Sequence, residues 1–162
     1  MGHVKLKNKK KDGLQEKQKL MEAYGLTEKQ FNECMAEALK TENKAEYILR
    51  KLESRLDNVV YRLGFALNRE NAHQLVTHGH VSVNDQRVDI PDYHVEQRDV
   101  ITLEKDMFDS PHVKEVLLAR RSFNFPSWLK LESNVGYVCH LPQEKELRQE
   151  KLDIDKILDL YL

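Results

Sequence analysis

Long apolar runs are missing from this chain. Nowhere do about 18 consecutive apolar residues occur, which excludes a transmembrane helix of ordinary length. The opening residues, MGHVKLKNKKKDG, have no apolar h-region and no cleavage site, so no secretory signal is read there. Cysteine is scarce. Cys34 and Cys139 lie far apart, neither belongs to a CxxC pair, and the single Cys139-His140 pair is too little for a zinc site. Both read as ordinary reduced thiols of a cytoplasmic protein. Internal repeats are absent, as are a phosphate-binding glycine loop and a Gly-x-Ser-x-Gly elbow, so the chain is not expected to be an enzyme. What remains is a chain of 162 residues, 33% charged and 40% hydrophobic. That composition suits a soluble globular protein built as one compact domain or two small ones.

An excess of either charge is also lacking overall, since the formal net charge is −1. The distribution is uneven, however. Residues 1–20 hold seven lysines against Asp12 and Glu16, whereas residues 51–105 hold seven basic and nine acidic residues. A basic start on a near-neutral body suggests a flexible arm over residues 1–12 that orders on a polyanion, contributing affinity without sequence information.

The periodicity predicts helices over 14–24 and 27–40 around Gly25, with Thr27 as the second N-cap and Phe31, Met35, Ala38 and Leu39 on one face. A third helix is predicted over about 44–64. Its apolar face runs from Ile48 and Leu49 through Leu52, Leu56, Val59, Val60 and Leu63, and Gly64 stops it. Asn68 caps a helix over 69–78 whose core side is Ala72, Leu75 and Val76. The period then changes to two in HVSVNDQRVDI, a hairpin about Asn84-Asp85, and DVITL (99–103) is a further strand. Ser110-Pro111 opens another helix, SWLKLE and GYVCHL form a strand pair around Ser133-Asn134, and Asp153 caps a closing helix.

The candidate site lies in the middle of the chain. Arg55, Asn58 and Arg62 recur at i, i+3, i+7 opposite the apolar face, a polar stripe read as facing outward. Arg69, His73 and Gln74 fall on or near the outer face of the next helix, and the hairpin adds Asn84, Gln86 and Arg87. His73, His78 and His80 have no carboxylate placed to complete a metal set, so no metal is expected. Any one of these groups alone is ordinary solvated surface. Together they offer guanidinium forks and amide donors to successive phosphates.

The stretch RLDNVVYRLGFALNRENAHQLVTHGHVSVN, with its Arg-Leu-Asp opening, Gly-Phe-Ala, capped Arg helix, Gln-Leu-Val and Gly-x-Val-x-Val-Asn, resembles the RNA-binding module named after small-subunit ribosomal protein S-four. That module occurs in many proteins. The flanks LQEKQKLMEAYGLTEKQF, PSWLKLE and ILDLYL resemble the bacterial-type ribosomal family itself, so the likeness covers about residues 14–162. It implies an α+β fold: an N-terminal helical bundle closed by the C-terminal helix, with an inserted module of two short helices and a small antiparallel sheet. The boundaries expected are 1–12 for the arm, 13–52 for the helical domain, 53–105 for the module, 106–140 for a helix plus strand pair, and 141–162 for a segment packing on the helical domain.

The resemblance further implies a structural protein that binds small-subunit ribosomal RNA at a multi-helix junction during assembly. It also implies contact with neighbouring ribosomal proteins near the side where mRNA enters. RNA contact is carried onto Arg55, Asn58, Arg62, Arg69, His73, Gln74, His78, His80, Asn84 and Arg87. No cofactor, membrane or small-molecule substrate is implied. The chain departs from the family pattern in places. His73 stands where arginine is frequent, Asp85 replaces the usual hairpin glycine, and Arg98 stands where glycine or asparagine is usual. The family's basic N-terminal extension, which in some members holds a cysteine zinc cluster, has no counterpart here, and the family is strongly basic. A looser grip follows, because counterion release drives RNA affinity. The alternative is a diverged paralogue on another structured RNA, a regulatory mRNA leader or an assembly intermediate, outside the stoichiometric ribosome.

Overall fold

The computed structural model describes residues 2–119, 125–143 and 152–162. The chain divides into two compact units, one running from the N-terminus through Leu49 with the C-terminal helix, the other beginning at Arg50 and including the second hairpin. The architecture is α+β.

The first unit begins with α1 (Gly2–Tyr24), which buries Gly13, Leu20, Met21 and Tyr24. The basic start, read from the sequence as a flexible arm over 1–12, is helical from Gly2. Lysine, leucine and glutamine are good helix formers, and no proline interrupts the 23 residues. Thr27 caps α2 (Glu28–Ala38) in a capping box: its Oγ1 accepts from the Gln30 N–H at 3.1 Å, and Gln30 Oε1 accepts from the Thr27 N–H at 3.0 Å. The closing helix, here α8 (Ile154–Leu158), packs on α1. The Glu16 carboxylate accepts from the Asp153 N–H at 3.0 Å, and Gly13 leaves room for Leu160 and the Lys156 carbonyl.

The predicted helix over 44–64 is two helices, α3 (Lys44–Glu53) and α4 (Leu56–Arg62). Arg55 breaks the run with extended backbone, φ −64° and ψ 138°. The start of α4 is held by a distant loop: the Leu56 N–H donates to the Tyr93 carbonyl at 2.7 Å and the Asp57 N–H to that of Pro91 at 3.1 Å. Gly64, at φ +84°, ends α4 in the left-handed conformation that glycine adopts without strain. Asn68 then caps α5 (Arg69–Thr77), its side chain accepting from the Asn71 N–H at 2.8 Å.

The strands form one antiparallel sheet of β1 (Val81–Val83), β2 (Gln86–Arg87), β3 (Val100–Leu103), β4 (Leu129–Glu132) and β5 (Val135–Val138), in the order β2-β1-β3-β5-β4. Asn84 and Asp85 turn the first hairpin with both φ positive, as do Ser133 and Asn134 in the second. The later strand pair, read as a region separate from the module, extends the module's sheet through the Val100–Tyr137 and Ile101–Gly136 pairings. Between the two hairpins lie α6 (Lys105–Phe108) and α7 (Pro111–Ala119). The core of this unit gathers Leu56, Val59, Val60 and Leu63 from α4, Ala72 and Val76 from α5, and Val81, Ile101, Trp128 and Val138 from the sheet region. Leu56 is fully buried as expected, whereas Leu75 is only partly so.

Candidate nucleic-acid interface

The polar stripe of α4 does not face outward. Arg55, Asn58 and Arg62 are 4%, 0% and 6% exposed, and each is engaged inside the protein. Burying a charge demands a partner, and two acidic residues supply it. Glu53 Oε1 accepts from Arg62 Nη2 at 2.7 Å and from Nε at 3.1 Å, while Asn58 Nδ2 donates to the other Glu53 oxygen and to the Glu53 carbonyl at 2.7 Å. Asp57 receives the fork of Arg55, from Nη2 at 2.9 Å and from Nε at 3.1 Å. The expectation of an RNA-facing stripe is therefore corrected. Apolar spacing shows which side of α4 packs first, and it does not reveal that Glu53, Asp57 and Arg69 engage the other.

These buried pairs carry the next layer. Asn58 Oδ1 accepts from Arg69 Nε at 2.8 Å, and the Arg69 guanidinium lies 4.8 Å from the centre of the Tyr61 ring. His73 Nδ1 stands 3.3 Å from Asp57 Oδ2. Arg69 is half-buried, while His73, Gln74 and His78 are exposed along α5. The second helix thus does present the face expected of it, on a base of paired charges.

The hairpin is less open than its residue types suggest. Asn84 Nδ2 donates to Asp99 Oδ1 at 2.9 Å, and Asn84 Oδ1 accepts from the Val100 N–H at 2.9 Å. Asn84 is a clamp between hairpin and β3. His80 Nδ1 and Arg87 Nη2 lie 3.2 Å and 2.9 Å from the two oxygens of Glu104. The bond with His80, and the nearby Arg87 charge, hold the Glu104 carboxyl below its ordinary value. Arg87 nevertheless keeps 68% of its side chain in solvent. Of the ten candidates, the structure brings Arg69, His73, Gln74 and His78 together on α5 and its C-cap, sets His80 and Arg87 about Glu104, ties Asn84 to Asp99 and Val100, and withdraws Arg55, Asn58 and Arg62.

Reasoning from the sequence passed over Glu53, Asp57, Tyr61 and Glu104. The signal was present in Glu53 and Asp57, two carboxylates interleaved at helical spacing with the arginines. Among the described residues no group of His, Cys, Asp and Glu is arranged to hold a metal ion.

A family model for the S4 domain matches residues 54–101, from the break before α4 to β3. The chain is 46% identical over 152 residues to small ribosomal subunit protein uS4 of Persephonella marina, covering 91% of this chain and 74% of that protein. It is 46% identical over 153 residues to small ribosomal subunit protein uS4 of Aquifex aeolicus, covering 91% and 72%. With small ribosomal subunit protein uS4 of Thermus thermophilus it shares 42% over 137 residues, covering 83% and 66%.

Proposed function

The chain belongs to the uS4 family of small ribosomal subunit proteins, which is structural and not enzymatic, and on that premise we propose that it binds small-subunit ribosomal RNA at a multi-helix junction during assembly. Its place of action is then the ribosome, in the cytoplasm, beside neighbouring small-subunit proteins near the side where mRNA enters. The observation that carries this reading is the solvent face of α5 and the hairpin, where His73, Gln74, His78 and Arg87 are exposed, with His73 and Arg69 anchored through Asp57 and Asn58 to the buried ion pairs. A rigid base keeps these donors spaced for RNA without further ordering on binding. Arg69 and His80 complete the contact set. Arg55, Asn58 and Arg62 hold it in place from beneath, and Asn84 fixes the hairpin.

The lysines of α1 add contacts without sequence information, so deleting residues 1–12 lowers the salt slope and leaves the choice among RNAs intact. Binding of the full chain to small-subunit ribosomal RNA and to a DNA duplex of matched length tests the reading, with RNA preferred through its 2′-hydroxyls. Arg87→Ala should cost about 1.5–3 kcal/mol of RNA affinity, the loss of a charged hydrogen bond, while Lys29→Ala on α2 does much less. Equal affinity for the DNA refutes it.

The net charge of −1 favours a second reading, in which the same face holds another structured RNA outside the stoichiometric ribosome. Sedimentation separates the two, since the first reading requires close to one copy per small subunit at physiological salt.

A further inference from the structure

Beside the exposed face of α5 lies a cavity of about 170 Å³. Its apolar lining includes the buried Phe65 and Val113 with the half-buried Met107, and its heteroaromatic lining the exposed His78 and His112 with the half-buried His80. The His78 and His80 rings meet edge to face with centres 6.2 Å apart. The amides of Asn71 and Gln74 also reach it, and among the described residues no lysine, arginine or carboxylate lines it. Three of these groups come from α5 and its C-terminal end, and Gln74 and His78 belong to the face already argued to meet RNA. Imidazoles and amides are a poor match for a phosphate, which favours guanidinium and ammonium groups. A planar ring with hydrogen-bonding edges would find an apolar floor, imidazoles to stack on and amides that both donate and accept. The volume is well below that of sites for drug-sized ligands and suits one ring system.

We propose that this cavity takes a single unstacked RNA base. The inference deepens the RNA-binding reading above and rests on it for the source of the base. It makes this corner of α5, β1 and α7 a reader of base identity, whereas Arg69 and Arg87 hold backbone.

The full chain with labelled histidine side chains is titrated, by NMR, with each of the four nucleoside 5′-monophosphates and with ribose 5-phosphate at millimolar concentration. Saturable shifts of His78, His80 and His112 are expected with at least one nucleotide and not with ribose 5-phosphate. An equal response to ribose 5-phosphate, or no response to any nucleotide, overturns the proposal. His112→Trp, which plugs the mouth from an exposed position, should abolish the nucleotide response and lower ribosomal RNA affinity about tenfold at unchanged melting temperature. His112→Ala, which cannot overfill the site, should show a smaller loss of the same kind. Wild-type ribosomal RNA affinity in the plugged variant overturns the assignment to RNA. A wild-type chain that ignores ribosomal RNA yet shows the nucleotide shifts leaves the base pocket standing and removes the ribosomal reading instead.

Discussion

Replacing Arg62 by alanine should unfold this protein more than it disturbs any surface. Arg62 and Glu53 are 6% and 1% exposed, and Glu53 Oε1 receives two guanidinium nitrogens at 2.7 and 3.1 Å. Removing the arginine leaves a carboxylate shut away from water, its strongest counter-charge gone and Asn58 still donating to it. Breaking a buried pair in this one-sided way costs about 3–5 kcal/mol. That is a large share of the roughly 5–15 kcal/mol that holds a domain together. Lys130–Glu132, at 59% and 63% side-chain exposure, is the contrasting pair, and its loss costs about 0–1 kcal/mol. Trp128, the single tryptophan and 1% exposed in the core of the same unit, reports unfolding by fluorescence in a urea titration. The midpoint should fall strongly for Arg62→Ala and barely for Lys130→Ala. Glu53→Gln combined with Arg62→Met removes both charges and should recover much of the loss, because no uncompensated ion remains. A wild-type midpoint for Arg62→Ala, together with weakened RNA binding, would return Arg62 to the RNA face and refute the burial argument.

Other expectations follow the same physical lines. Asp85 and Arg98 hold φ at +66° and +75°, so glycine at either position should raise stability by about 1 kcal/mol, read from the same urea curves. Gly136→Ala would drive a methyl group into the Leu63 side chain at the end of α4 and should lose about 1–3 kcal/mol, whereas Gly2→Ala meets nothing. The Asp153 N–H bonded to the Glu16 carboxylate holds that group's pKa below its ordinary 4.5. A depressed carboxylate contributes stability that is fully present above its unfolded value and is lost as pH falls through the lower folded one. Glu16→Gln should therefore melt earlier than wild type at neutral pH, with the difference closing in acid below about pH 4.

Much of this molecule was legible locally. Thr27 and Asn68 cap the helices they were expected to cap, Gly64 stops α4, and Asn84-Asp85 turns a hairpin with both φ positive. Each is a contract between a residue and its near neighbours, and the chain states it within a few positions. The departures at Asp85 and Arg98 are also visible in the sequence, and both fall where the backbone is left-handed. The helical state of the lysine-rich start is consistent with its propensity, since lysine, leucine and glutamine favour helix whatever their charge.

What the sequence could not express is what covers the polar side of α4. Its apolar residues determine that one face packs inward. Whether Arg55, Asn58 and Arg62 meet water or protein depends on Glu53 and Asp57 being turned toward them, and on the start of α4 being held by the loop at 91–95, more than 30 positions away. The joining of two hairpins into one sheet through Val100 and Tyr137 is likewise a long-range pairing. Local spacing determines elements because backbone hydrogen bonds and caps close over a few residues. Burial of a charge is decided only when distant segments arrive with its counter-charge, since low dielectric surroundings make an unpaired ion too costly to enclose.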